Sequence, residues 1–345
     1  MNVLSLFDGM ACGRLALEKA GIKVDNYYAS EIDVPAMKIA KKNWPDIIHI
    51  GDVQKVKGED LPKIDLIIGG SPCQGFSFAG KMLNFEDPRS KLFFEFSRLV
   101  DECKPKYFFL ENVKMKKESV QVITEELGVD PVEINSALVS AQSRRRLYWS
   151  NIPIEQPVDK NIKLIDILQT DVAEKYFASE EMMINYDGGQ QLNPKYQSQA
   201  NQIHDIMKAK MQAFCAFTHG YAHGYIKHPN HNYITDRVKS RCLDAHYGKT
   251  GNLKSYFAYG ERQLIFEKKE QLTKNKFNYR IRKLTPIEAE RLQTVPDDYT
   301  SGVADTQRYK MLGNGWTVDV IAHIFSKLKN KDLILKTPYK QATLF

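Results

Sequence analysis

Residues 64–77 read Ile-Asp-Leu-Ile-Ile-Gly-Gly-Ser-Pro-Cys-Gln-Gly-Phe-Ser, an apolar run that leads into a glycine-rich turn. The apolar part, residues 64–69, is typical of a strand buried in a parallel sheet. Pro72 fixes one backbone dihedral angle and the glycines allow a close turn, so we expect Cys73 to stand where a substrate can reach it. The alternative, a cysteine that only fills space in a turn, is the weaker interpretation for a Pro-Cys pair after two glycines.

The flanking sequence repeats the pattern of a strand followed by a turn and a helix. Further strands are predicted at residues 3–7, 26–30, 47–50 and 107–110, and helices at 9–20, 36–43 and 92–102. This alternation indicates an α/β fold with a doubly wound parallel sheet covered on both faces. After Pro153 the chain becomes polar and rich in Asn, Gln, His and Tyr, which predicts a separate lobe or long loops.

The helical pattern returns near the end of the chain. Thr285 is a predicted N-cap, Pro286 takes the first helical position, and Glu288 completes a capping box. A second amphipathic helix is predicted at residues 318–328, followed by a basic, frayed tail.

Composition narrows the class of protein. The chain has 345 residues, of which 43% are hydrophobic and 26% charged, and no apolar stretch approaches the roughly 18 residues of a membrane span. The N-terminus reads as a strand and not as a secretory signal. The five scattered cysteines make no Cys-x-x-Cys pair, which favours a reducing compartment and a cytoplasmic protein. The net charge of +7 is compatible with nucleic acid but is weak evidence by itself.

Polar residues follow the ends of the predicted strands. The turn at residues 5–13 joins the first strand to the first helix, Glu31 follows the second strand, and Asp52 follows the third. Carboxylates in this order favour an adenosine-containing cofactor, with Glu31 on the ribose and Asp52 near the adenine amino group. The turn is not Gly-x-Gly-x-x-Gly, which argues against a dehydrogenase.

Two further groups point to the same edge of the sheet. Glu111 is predicted to end the fifth strand and so to project into the cleft. In residues 142–149, strand alternation places Arg144 and Arg146 on one face and Arg145 on the other. Two adjacent guanidinium groups require a nearby anion such as a phosphate or a carboxylate, and a solvated basic strand is the alternative.

In this order, the motifs resemble those of the DNA cytosine-5 methyltransferase family over nearly the whole chain. The resemblance is carried by Phe7-x-Gly9, Glu31, Asp52, Pro72-Cys73-Gln74, Glu111-Asn112-Val113, Gln142-x-Arg144-x-Arg146 and Gly313-Asn314. The first turn and Trp316 are similar to the animal de novo enzymes, whereas Gly313-Asn314 is of the bacterial type. A stand-alone prokaryotic or phage enzyme is therefore expected.

The resemblance implies a role for each matched residue. Cys73 is the expected nucleophile, Glu111 is expected at ring nitrogen 3 and the amino group of cytosine, and Arg146 at its carbonyl oxygen. Arg144 is expected near the backbone or the nucleophile, with Pro72 and Gln142 supporting the catalytic loop. The residues implied for S-adenosyl-L-methionine are Phe7, Asp8, Gly9, Met10, Ala11, Cys12, Glu31, Ile32, Asp52, Val53, Asn314 and Trp316. The residues expected at the DNA substrate are Gln74, Ser77, Asn112, Arg237, Arg241 and Lys249.

The implied architecture is a Rossmann-like methyltransferase sheet with a second, smaller target-recognition domain. Because the last helices must bring Asn314 back to the cofactor, residues 1–154 and 281–345 are predicted to form the catalytic domain. Residues 155–280 are then the target-recognition domain.

The chemistry explains why these residue types are needed. Cytosine carbon 5 is a poor nucleophile until a thiolate adds at carbon 6 and breaks the aromaticity of the ring. The base must leave the duplex to reach such a site. The expected activity is therefore methyl transfer to carbon 5 of a flipped-out cytosine in double-stranded DNA.

Other functions stay open at this point. Some family members methylate tRNA and carry Cys-Phe-Thr, which is interrupted here by Ala216, and a non-catalytic nucleic-acid-binding module is a further alternative. A zinc site among His219, His223, His228 and His231 is less favoured than DNA contacts or packing, so no metal is predicted. We expect a monomer without membrane association, and a cognate restriction enzyme is a candidate partner. The target sequence and the host stay open.

Overall fold

The computed structural model describes residues 1–72, 88–177, 226–227, 233–235, 238–247, 263–268, 279–330 and 335. These residues form a seven-stranded sheet in the order β3-β2-β1-β4-β5-β7-β6. Its strands are β1 (Asn2–Leu6), β2 (Asn26–Ser30), β3 (Ile48–His49), β4 (Leu66–Gly69), β5 (Tyr107–Val113), β6 (Val132–Asn135) and β7 (Arg145–Ser150). Strands β1 to β5 are mutually parallel, which confirms the predicted α/β class.

The last part of the sheet departs from the parallel arrangement. β7 pairs antiparallel with both β5 and β6. The short connection between β6 and β7 holds only a single 3-10 turn, which is too little chain for a crossover helix, so the strand returns in the opposite direction. The consequence for the site is direct, because the pairing sets Val113 opposite Arg146 and Glu111 opposite Tyr148.

Helices cover both faces of the sheet. They are α1 (Cys12–Lys19), α2 (Val34–Asn43), α3 (Pro88–Cys103), α4 (Lys117–Leu127), α5 (Pro286–Leu292), α6 (Asp305–Asn314) and α7 (Val318–Phe325). Alternate strand residues enter two apolar layers. Val3, Ile68 and Phe109 pack on the side of α1 and α7. Leu4 and Phe108 pack on the side of α3 and α4.

Several element boundaries differ from the prediction. β5 continues through Val113, so Glu111 lies inside the strand and not at its end. α1 starts at Cys12 and not at residue 9, because Gly9 and Ala11 have positive φ angles that do not fit a right-handed helix. α7 ends at Phe325 and continues only as a 3-10 turn at Ser326–Lys329.

The C-terminal helices attach firmly to the N-terminal sheet. The predicted capping box of α5 is present, since the Thr285 side chain accepts from the Glu288 amide and the Glu288 side chain accepts from the Thr285 amide. The Tyr299 hydroxyl donates to the Met10 carbonyl oxygen across 2.9 Å. The Tyr299 contact brings this C-terminal part of the chain back to the first turn.

A second, four-stranded antiparallel sheet has the order β11-β10-β9-β8. Its strands are β8 (Ile226–Lys227), β9 (Tyr233–Thr235), β10 (Leu264–Lys268) and β11 (Tyr279–Lys283). Strand β11 runs across residue 280, where we predicted a domain boundary, and the division into domains stays a prediction. Within the described parts of the chain, no helix combines the length and the apolar character needed to cross a membrane.

Candidate active site

The turn after β1 opens the carboxyl edge of the sheet. Phe7, Gly9 and Ala11 have φ angles of 58°, 60° and 65°. A Cβ added at Gly9 would meet nothing within 4 Å. Glycine is therefore favoured here because of the positive φ angle, and not because another group packs closely against it. The turn therefore presents main-chain groups at the ends of β1 and β2, and helix α1 begins directly behind it.

The side chain of Asp8 belongs to the interior of this turn. Its Oδ1 accepts from the hydroxyls of Ser5 at 2.6 Å and Tyr27 at 2.7 Å. Burial raises the pKa of Asp8 to about 7, against the stabilising effect of the two hydroxyls. Any contact of Asp8 with a ligand at the sheet edge would thus come from its main chain.

The other predicted cofactor residues of the first turn are also buried. The exposed fractions of Met10, Ala11 and Cys12 are 1%, 0% and 4%. Burial raises the pKa of the Cys12 thiol to about 12, which keeps this sulfur protonated and unreactive. The side chains of these three residues pack in the core beneath the turn and so support its main chain.

Glu31 stands at the open edge beside this turn. Its Oε2 accepts from the amide of Gly9 at 2.7 Å, and its Oε1 accepts from the amides of Ile32 at 2.7 Å and Asp33 at 2.8 Å. Three amides fix the carboxylate in one orientation. Ile32 follows it and is 72% exposed, so its side chain can contact a ligand at this edge.

The third strand adds Asp52. Its Oδ1 accepts from the Gln54 amide at 3.1 Å, and Val53 is buried behind it. A fixed carboxylate, an uncovered isoleucine and a second carboxylate along one edge match the chemistry of ribose, adenine and the adenine amino group. The residues present therefore fit an adenosine-containing methyl donor.

Glu111 lies at the centre of the next part of the edge. It is 8% exposed, and its Oε1 faces the Arg146 Nε at 3.0 Å. The Trp316 indole Nε1 donates to Glu111 Oε2 across 3.1 Å. Although burial opposes it, the Glu111 carboxylate raises the pKa of Arg146. The carboxylate predicted in β5 is thus the anion that accompanies Arg146.

Arg144 has a different environment from Arg146. It precedes β7 and is 4% exposed, and its guanidinium donates to the carbonyl oxygens of Leu243, Gly313 and Gly315, each at 3.0 Å. Burial, followed by the charge of Arg146, lowers the pKa of Arg144. The guanidinium therefore binds main-chain oxygens of the protein itself. It joins the chain at Arg144 to residue 243 and to residues 313–315.

Gln142 and Asn112 are supporting residues in this structure. Gln142 is fully buried, donates to the Leu292 carbonyl oxygen at 3.2 Å and accepts from the Leu243 amide at 2.6 Å. The amide of Asn112, expected at the substrate, is buried and donates to Ser71 Oγ at 3.0 Å. We therefore interpret Asn112 as support for the turn that leads through Pro72 to Cys73.

One residue near the two arginines was not among the predicted site residues. The Sγ of Cys242 is exposed and lies 3.2 Å from Arg144 Nη1 and 3.8 Å from Arg146 Nη2. No local pattern marks Cys242, because its arginine neighbours are remote in sequence. The close turn expected at Gly70 has a specific neighbour, since a Cβ there would lie 2.9 Å from the Trp316 Nε1, so this glycine leaves room for the indole.

The remaining predicted residues divide into two groups. Arg241 and Asn314 are exposed at the surface. Cys73, Gln74, Ser77, Arg237 and Lys249 lie outside the described residues, as do the histidine cluster and Ala216.

Comparison with known proteins gives a consistent result. The profile of the C-5 cytosine-specific DNA methylases matches residues 1–330. Type II methyltransferase M1.ScrFI from Lactococcus lactis subsp. cremoris is 32% identical over 349 residues, an alignment covering 95% of this chain and 77% of the relative. The orphan methyltransferase M.SPRI of Bacillus phage SPR is 26% identical over 427 residues, covering 95% and 97%.

Solved structures support the fold. The Entamoeba histolytica methyltransferase EhMeth superposes with a TM-score of 0.68 at 18% identity and covers 96% of this chain and 99% of its own. At that identity the likeness concerns the fold alone. With the profile matched over nearly the whole length and a relative 32% identical over 95% of the chain, the chain belongs to the C-5 cytosine-specific DNA methylase family and is a DNA (cytosine-5-)-methyltransferase.

Proposed function

We propose that the protein transfers a methyl group from S-adenosyl-L-methionine to carbon 5 of a flipped-out cytosine in a specific double-stranded DNA sequence. The observation that carries the proposal is the Glu111 carboxylate, held between Arg146 and Trp316 at the carboxyl edge of the sheet. The turn that leads to Cys73 passes this carboxylate, since a Cβ at Gly70 would lie 3.1 Å from Glu111 Oε2.

Covalent catalysis by Cys73 begins the proposed reaction. The thiolate attacks carbon 6 of the cytosine, a carbon–sulfur bond forms, and the displaced π electrons make carbon 5 nucleophilic. Glu111 shares a proton with ring nitrogen 3 and accepts from the 4-amino group, so negative charge does not build up on the ring. Arg146 donates to the carbonyl oxygen of the base. Its ion pair with Glu111 holds the two side chains in a fixed position relative to each other.

The reaction ends by elimination. When bound, the cofactor supplies an electrophilic methyl group attached to a positive sulfur. After carbon 5 has taken the methyl group, with the neutral thioether of S-adenosyl-L-homocysteine as the leaving group, a base removes the proton from carbon 5 and the carbon–sulfur bond to Cys73 breaks. This step restores the aromatic ring and the free thiolate. Positive charge from Arg144 and Arg146 on this side of the cleft favours the thiolate form.

The cofactor is proposed to lie along the ends of β1, β2 and β3. Glu31 would accept from the ribose hydroxyls, Ile32 would cover one face of the adenine, and Asp52 would accept from the adenine amino group. The main chain of the turn at Phe7–Cys12 would hold the methionine part, and Asn314 and Trp316 would close the site from the C-terminal side. The exposed Ile32 supports this placement, because a bound adenine would cover it.

Residues 155–280 are proposed to recognise the target sequence. Strands β8 to β10 of this region form, together with β11 at its C-terminal boundary, a sheet of their own. Arg241 is exposed beside Cys242, and we propose that it reaches a phosphate or a base edge, as we propose for Arg237 and Lys249. Because the named relatives include Type II methyltransferases, a restriction enzyme that cuts the same sequence is a proposed partner.

One experiment tests substrate and nucleophile together. The protein and a Cys73→Ala variant are incubated with tritiated S-adenosyl-L-methionine and either duplex DNA or tRNA. We expect label in DNA as 5-methylcytosine from the wild-type protein and none from the variant. Label in tRNA alone would overturn the DNA assignment, and transfer that survives Cys73→Ala would overturn the covalent mechanism.

A further inference from the structure

We propose that Trp316 is a positioning residue for the catalytic carboxylate, in addition to its expected place at the cofactor. The inference rests on the proposed function, in which Glu111 contacts the target base. Its basis is one contact, the indole Nε1 of Trp316 donating to Glu111 Oε2 at 3.1 Å. The two residues are 205 positions apart in the sequence.

The indole ring is held on several sides. Phe109 of β5 meets it edge-on, with ring centroids 5.6 Å apart and an interplanar angle of 76°. A Cβ at Gly13 would lie 3.4 Å from Trp316 Cζ3, and one at Gly70 would lie 2.9 Å from its Nε1. The ring therefore fills a slot between α1, the turn after β4 and the middle of β5.

The main chain beside Trp316 is fixed as well. Arg144 donates to the carbonyl oxygens of Gly313 and Gly315, both at 3.0 Å. On the other side, the Thr317 hydroxyl donates to Gln293 Oε1 at 2.9 Å. With backbone and ring both held, the indole N–H points in one direction before any ligand arrives.

A preorganised donor changes what Glu111 can do. With Arg146 alone, the carboxylate would have one anchor, at Oε1, and could rotate about its last bond. The second anchor at Oε2 removes this freedom, so the remaining lone pairs face the cleft in fixed directions. Trp316 thus links the C-terminal turn, expected to border the cofactor, to the group that contacts the base.

The test is Trp316→Phe, which keeps an aromatic ring but removes the N–H. We expect kcat with saturating DNA and cofactor to fall about 10-fold or more, the effect of losing one hydrogen bond to a charged group. The dissociation constant for S-adenosylhomocysteine, measured by calorimetry, should change less than about threefold. The matched control is Trp149→Phe, because Trp149 Nε1 donates to Thr124 Oγ1 at 3.1 Å away from the cleft. That variant should keep wild-type kcat.

A second variant separates position from packing. Gly70→Ala leaves both partners intact but places a methyl group 2.9 Å from Trp316 Nε1 and 3.1 Å from Glu111 Oε2. We expect a loss of kcat similar to that of Trp316→Phe, with cofactor binding retained.

A third readout needs no cofactor. Addition of Cys73 at carbon 6 lets carbon 5 exchange its proton with water, so release of tritium from DNA labelled at carbon 5 reports on the covalent addition, in which Glu111 takes part, without the cofactor. Trp316→Phe should slow this release by the same factor as kcat. Unchanged release and kcat, with weaker binding of S-adenosylhomocysteine, would show that Trp316 serves the cofactor only and would overturn the inference. The proposed function is tested separately, by whether the wild-type protein transfers a methyl group to DNA at all. The inference about Trp316 is tested by the ratio of the variant's rate to the wild-type rate.

Discussion

Two glutamate–arginine pairs in this protein use the same chemistry for different ends. Glu288 and Arg282 are both fully buried and meet through two bonds of 2.8 Å. Glu288 also accepts from the amides of Thr285 and Gln169 at 2.8 Å each. Glu111 Oε1 lies 3.0 Å from Arg146 Nε, and the two side chains remain 11% and 14% exposed.

The difference lies in how many of the carboxylate's acceptor positions are used. An ionised carboxylate offers about four acceptor sites. Glu288 fills four of them with partners from its own chain, so nothing remains for a ligand. Among the residues that the structure describes, Glu111 has two partners, Arg146 and Trp316. A closed pair holds the fold together, whereas a pair left open beside the cleft can meet a substrate.

Glu111→Gln tests the open pair and should have the largest effect. Glutamine keeps the size of the side chain but cannot share a proton with ring nitrogen 3 in the same way, so kcat/KM should fall about 10²- to 10⁴-fold. The thermal midpoint should stay close to that of the wild type. Methyl transfer from labelled cofactor and thermal unfolding provide the two measurements. Activity within about threefold of the wild type would remove Glu111 from the mechanism.

Glu288→Gln tests the closed pair. It leaves the Arg282 charge buried without its counter-ion, which we expect to lower the free energy of unfolding by about 3–5 kcal/mol. Urea unfolding measures this loss. In native conditions at low temperature, the protein that remains folded should keep its kcat. If kcat instead fell as far as in Glu111→Gln while stability was unchanged, the contrast between the two pairs would be lost.

Asp8→Asn extends the comparison to a buried carboxylate without a guanidinium partner. Its pKa of about 7 in the folded protein exceeds the ordinary 3.8, so as pH rises the unfolded chain loses this proton first. The group therefore favours folding at acid pH, and its contribution, about 4 kcal/mol at most, is lost between pH 4 and 7. The wild type should lose more stability than Asp8→Asn between pH 5 and pH 8 in urea titrations. Parallel pH curves for the two proteins would contradict this account.

Thr285→Ala should give the smallest effect. It removes the side-chain cap of α5 while the Glu288–Arg282 pair remains, so we expect a loss of about 1 kcal/mol in urea unfolding. Thr285→Ser, which keeps a hydroxyl acceptor, is the control and should recover most of the loss. A loss as large as that of Glu288→Gln would mean that the cap and the closed pair act as one unit.

Local patterns were enough for much of the fold. The strand at residues 26–30 was predicted to the residue, and the capping box at Thr285 was read directly from its spacing. These features depend on neighbours within one turn or one strand, which a sequence displays. The antiparallel entry of β7 was not predicted, because the direction of a strand depends on which partner it finds.

The candidate site divides in the same way. The sequence directed Glu111, Arg144 and Arg146 to the same edge of the sheet, although Glu111 lies inside β5 and Arg144 precedes β7. It could not distinguish the two arginines, whose environments are set by Glu111 in one case and by three remote carbonyl oxygens in the other.

By itself, the sequence determined the class of sheet, the order of the motifs and the family to which the protein belongs. Only the tertiary structure decided that Trp316 reaches Glu111 and that Asp8 and Asn112 turn inward. The reason is physical, because periodicity and turn chemistry act over a few residues. The bonds that orient a catalytic group join segments separated by up to two hundred residues, and only the packing of the sheet and its helices brings those segments together.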